Sequence, residues 1–137
     1  MAPANFMPSG RNEVVVLVHD YQDRCPRGIL NGPRLSAPAA FHGLTQLLMT
    51  MEELMDQSND PQRGEEPRSF QHSEQPLRPA GPMSNKPLAV FRINVLFRQN
   101  ASWQGTLIWM DRKMDAQFRS VLELIRLMDS ALTADLE

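Results

Sequence analysis

The sequence predicts an α+β fold in which tandem duplicated strand-strand-helix (ββα) units join their hairpins into one four-stranded antiparallel sheet. Two helices lie on one face, related by a pseudo-twofold axis. Three observations predict this. The β-branched run Val14-Val15-Val16-Leu17-Val18 and the alternating run from Phe91 to Phe97 read as strands. Each is followed, some twenty-five residues on, by an apolar stripe of helical period. An offset of 77 residues sets residues 14–55 on residues 91–132 without a gap.

In chain order, residues 1–12 read as a flexible lead and residues 13–56 as the first unit. After the strand at Val14, the segment from Asp20 to Ser36 holds turn signals at Cys25-Pro26, Gly28 and Asn31-Gly32-Pro33 around a short second strand near Ile29-Leu30. Phe41, Leu44, Leu48, Met51 and Met55, widened by Leu47 and Leu54, form the stripe of a helix with Pro38 in its first turn. Residues 57–87 hold six of the eleven prolines among Gln, Ser, Glu and Arg, and read as a disordered linker. The second unit spans residues 88–137. Phe91, Ile93, Val95 and Phe97 share one strand face, Thr106 to Met110 form a second strand, and Asp115 is a candidate N-cap. The helix after it carries Phe118, Val121, Leu122, Ile125, Met128 and Leu132.

The offset matches Val18 to Val95, Gln22 to Gln99, Gly28 to Gly105, Leu30 to Leu107, Phe41 to Phe118, Leu47 to Leu124 and Met51 to Met128. Strand falls on strand, turn on turn and helix on helix. Gly28 and Gly105 are therefore structural turn glycines, placed where the backbone needs a positive φ or a close approach. Trp103 has no counterpart, because Pro26 stands opposite it. One hairpin with one helix is too small to be stable alone, so the two units are expected to share a core. The outer sheet face would then carry Val15, Leu17, Leu96, Ile108 and Met110, more apolar than a wet face.

Composition narrows the function classes. The chain has 14 Lys and Arg against 16 Asp and Glu, a net charge of -2, so no global basic field advertises nucleic acid. The one cysteine, Cys25, excludes an intrachain disulfide and a cysteine-only metal site and fits a cytoplasmic setting. No apolar run is long enough to span a membrane, and the start lacks a secretory pattern.

The stretch Asn100-Ala101-Ser102-Trp103-Gln104-Gly105 resembles the D/N-x-S-x-x-G element of PilZ domains, which bind cyclic di-GMP. That family also needs an upstream R-x-x-x-R, and the arginine pairs Arg63/Arg68 and Arg92/Arg98 have the wrong spacing. Asn100-Ala101-Ser102 is also a glycosylation sequon, but no secretory signal accompanies it. Cys25, flanked by Arg24 and Arg27 after His19 and Asp20, has the surroundings of an activated thiol. In the repeat, though, Ser102 replaces it and Leu96 replaces His19. His42 reads as a surface residue and His72 lies in the linker, so no metal-ligand spacing is present. Met49, Met51 and Met55 suit either a core or an adaptable groove. Arg92, Arg98, Arg112, Lys113, Arg119 and Arg126 with Trp103 and Trp109 suggest a stacking and phosphate-binding surface for single-stranded nucleic acid, provided that they converge.

FRQNASWQGTLIW followed by FRSVLELIRLMDSAL resembles segments of a group of small uncharacterised bacterial proteins, and FHGLTQLLMTMEELM is similar to their first-half helix. The resemblance covers both folded units. It implies membership, with no activity to carry over.

The expectation is thus a non-enzymatic binding or regulatory protein that forms a homodimer or engages a protein partner, without cofactor, metal or membrane. Its candidate interface residues are Trp103, Arg98, Arg92, Leu96 and Leu17, with Trp103 partly exposed and Arg98 on the outward strand face. The second reading is a nucleic-acid-binding protein using Arg92, Arg98 and Trp103.

Overall fold

A computed structural model of the protein describes residues 13–33, 35, 37–58, 86–98 and 102–134. The expected lead at residues 1–12, residues 59–85 of the expected linker, and the sequon residues Asn100 and Ala101 lie outside the described residues.

The fold is α+β. Strands β1 (Glu13–Gln22), β2 (Cys25–Asn31) and β3 (Ala39–His42) precede helix α1 (Leu44–Ser58). Strands β4 (Ala89–Phe97), β5 (Gln104–Trp109) and β6 (Met114–Phe118) precede helix α2 (Val121–Ala134). The strands form one six-stranded sheet in the order β3-β2-β1-β4-β5-β6, and every neighbouring pair is antiparallel. The two halves meet at a central seam where Val14, Val16 and Val18 of β1 face Ile93, Phe91 and Ala89 of β4.

One face of the sheet carries the core. Val14, Val16, Val18, Leu30, Phe41, Phe91, Ile93, Val95, Leu107 and Phe118 are buried in a single cluster. The cluster also takes Leu47, Met51, Leu54 and Met55 of α1 and Leu124, Met128, Ala131 and Leu132 of α2. Both helices therefore cover the same face, as their apolar stripes require.

The expected four strands are six. Phe41 and Phe118 fit a helical period with the residues after them, which places them in helices on paper, yet both lie in short strands and point into the same core as the helices. What separates strand from helix is local. Gly43 takes φ of 100°, a left-handed turn that β-branched or bulky residues resist, and α1 starts at the next residue. The cap of α2 is Ser120, whose Oγ accepts the Glu123 N–H at 3.1 Å, and Asp115 lies in β6. In both halves a side chain four residues on closes the turn: Gln46 Oε1 accepts the His42 N–H at 2.7 Å, and Glu123 Oε1 accepts the Arg119 N–H at 2.8 Å.

Both central strands carry an irregularity at the same place. The β1–β2 register shifts between Val18 and Asp20, and the β4–β5 register between Val95 and Phe97. The extra residues, His19 and Leu96, reverse the in-out alternation of everything after them. Phe97, expected inside, is therefore 52% exposed, while Arg98, expected outside, is 3% exposed. Gly28 faces Val18 and Phe41, and Gly105 faces Val95 and Phe118. Both glycines, expected in turns, lie inside strands β2 and β5, and of the two reasons expected for them close approach is the one that operates. A Cβ on Gly28 would run into the Leu17 carbonyl oxygen, and one on Gly105 into that of Asn94; neither glycine has a positive φ. The β1–β2 hairpin closes in two residues, Asp23 and Arg24, at φ of 54° and 58°. This double left-handed turn matches the strand twist but has no glycine to announce it.

Candidate functional site

The reversal after each bulge builds two polar sites, one at each end of the helix layer. Tyr21, two residues past His19, turns inward, and its hydroxyl donates to Asp129 Oδ1 of α2 at 2.6 Å. Arg98, two residues past Leu96, also turns inward, and its Nη1 donates to Asp56 Oδ1 at 2.7 Å and Glu52 Oε1 at 3.2 Å, both on α1. The offset of 77 residues carries Tyr21 onto Arg98 and Glu52 onto Asp129. Each central strand is thus tied to the helix of the other half.

The two ends then diverge. In the second half Trp103 is 6% exposed and donates its indole Nε1–H to Glu52 Oε1 at 3.0 Å. The expectation of a partly exposed Trp103 is corrected: it continues the inward alternation of Gly105 and Leu107 on the helix side of the sheet, beside Arg98, where its ring joins the core and its N–H finds a carboxylate. In the first half the matching position is Pro26, too small to fill the same space. There a cavity of about 290 Å³ opens, lined by Tyr21, Arg24, Pro26, Leu44, Leu122, Ile125, Arg126, Met128, Asp129 and Leu132. Its floor is apolar. Its polar groups are the Tyr21 hydroxyl and the Asp129 carboxylate, with Arg24 and Arg126 exposed at the rim. Arg24 Nε lies 3.7 Å from Asp129 Oδ1. Burial, reinforced by the hydrogen bond to Asp129 and by its charge, pushes the Tyr21 hydroxyl up to about 12.

The arginines proposed for one surface do not share one. Arg98 is inside with its carboxylates, whereas Arg92 is on the opposite face of the sheet, where its Nη2 donates to Glu13 Oε1 at 2.6 Å. Arg112 lies over the Trp109 ring, 5.3 Å from its centroid, and Arg119 pairs with Glu123. Leu96 is 47% exposed and Leu17 half-buried, while Val15, expected on an open face, is fully buried. Cys25 is a free, half-buried thiol at the start of β2. Among the described residues no three His, Cys, Asp or Glu side chains are grouped to hold a metal ion, and no helix is long and apolar enough to cross a membrane.

Comparison of the chain with protein-family models, with curated proteins and with solved structures returned no match. Reasoning from sequence alone missed the cavity, although Pro26 standing opposite Trp103 at the 77-residue offset was its signal.

Proposed function

We propose that the chain is a non-enzymatic binding or regulatory protein of the cytoplasm, built by tandem duplication of a strand-strand-strand-helix unit and acting through self-association. The duplication is supported by the matching registers, bulges, glycines, helix starts and cross-ties of the two halves.

The observation that carries self-association is the adjacent pair Leu96 and Phe97, 47% and 52% exposed, at the end of a central strand. Two large apolar side chains presented together by a bulge favour contact with another protein surface. A second copy suits this face, because its charges are matched within the chain: Glu13 with Arg92, and Asp20 with Arg27. A like surface can then approach without net repulsion.

Sedimentation analysis tests the reading. The protein should sediment as a dimer, and Leu96→Asp with Phe97→Asp should convert it to a folded monomer whose melting temperature no longer depends on protein concentration. A monomeric parent, or a dimer untouched by both substitutions, would reject it.

A further inference from the structure

We propose that the cavity beside Pro26 is a binding site for a small flat heteroaromatic molecule bearing a ring N–H. The second half of the chain supplies the template. There the equivalent space holds the indole of Trp103, whose Nε1–H donates to Glu52 at 3.0 Å. In the first half Pro26 replaces the tryptophan and Asp129 replaces the glutamate, so the carboxylate acceptor is kept and the ring is missing. The cavity of about 290 Å³ is near the lower end of small-molecule sites.

The lining suits such a guest. Pro26, Leu44, Ile125, Met128 and Leu132 provide apolar walls for a ring, and Asp129 retains acceptor capacity beyond the Tyr21 hydroxyl and the nearby Arg24. An independent observation concerns the rim. Arg24 sits at φ of 58°, a conformation that glycine or asparagine adopts far more cheaply, in a two-residue turn for which Asp-Gly is the favoured sequence. An arginine held there against backbone preference lines the cavity mouth together with Arg126, placing two guanidinium groups where an anionic substituent on the ring would emerge.

Titration calorimetry of the full chain with free indole tests the site. Saturable uptake of one indole per chain is expected, with N-methylindole, which has the shape but no N–H, bound about tenfold more weakly. Pro26→Trp should install the missing ring, abolish uptake and leave the chain folded. Should that variant fail to fold, Asp129→Asn carries the same test and should lessen the preference for indole over N-methylindole. No uptake of indole at millimolar concentration, equal uptake of the two probes, or uptake undiminished in a folded Pro26→Trp chain would each overturn the proposal. So would a short peptide with a single tryptophan displacing indole at equal concentration, since the ring would then belong to a protein partner.

Discussion

The indole of Trp103 and the carboxylate of Glu52 meet at 3.0 Å across the layer between sheet and helix, and the same Glu52 oxygen also receives Arg98 at 3.2 Å. A tryptophan from one half and a glutamate from the other therefore hold α1 against the end of β4. The contact is anchored from both sides, because Arg98 is itself 3% exposed and bound to Asp56.

Replacing Trp103 separates ring from hydrogen bond. Trp103→Ala should cost about 3–5 kcal/mol through the cavity left in the core. Trp103→Phe, which keeps most of the ring, should cost less, with about 1–3 kcal/mol attributable to the lost bond to a carboxylate. Urea unfolding of both variants measures the split; a Trp103→Phe chain as stable as the parent would mean that the carboxylate contributes nothing, and equal losses would mean that the ring contributes nothing beyond the bond.

The glycines should respond for two different reasons. Gly28→Ala and Gly105→Ala each drive a methyl into a neighbouring backbone carbonyl, so both should lose at least about 2 kcal/mol and by similar amounts. Gly43→Ala has room, its nearest neighbour being Cys25 Sγ at 3.8 Å, and should lose only the roughly 1–2 kcal/mol of a left-handed alanine. Thermal melts of the three variants check the order.

Tyr21 is the one tyrosine in the chain, so phenolate absorbance reports it alone. Its hydroxyl titrates near 10.0 when solvated and near 12 in the fold, so the folded state holds the proton more tightly than the unfolded state. The stabilisation is complete below pH 10 and is lost as pH rises toward 12. Absorbance should show the delayed midpoint, and Tyr21→Phe should flatten the fall in stability over that window.

Arg24 offers a test of strain. Arg24→Gly should raise stability by about 1 kcal/mol by giving the Asp23 turn its preferred partner. A melting temperature that falls would show that the arginine contributes more through its approach to Asp129 than its backbone costs.

The legible parts of the fold were those with a clear period. The run at Val14, the alternation from Phe91 to Val95 and the stripes at Leu47 and Leu124 all formed the elements they announced. The two edge strands were hidden because Phe41 and Phe118 continue the helical spacing, and only Gly43 and Ser120 mark the break. The bulges were hidden because nothing in His19 or Leu96 signals an extra residue, and that one-residue slip moved Arg98 from the surface to the interior, whereas Trp103 faces inward by the same alternation as Gly105 and Leu107. The cavity is a missing side chain, legible only by comparing Pro26 with Trp103.

The seam between β1 and β4 also has a kinetic meaning. Val16 pairs with Phe91, so closing the sheet requires a loop on the order of 75 residues, an entropic cost incurred before any seam contact forms. Each half can assemble its own hairpins early, but the ties from Tyr21 to α2 and from Arg98 to α1 exist only after the halves have met. Docking is therefore the slow, cooperative step. Two separately produced halves, mixed in solution, should reconstitute the sheet in a reaction whose rate rises with concentration.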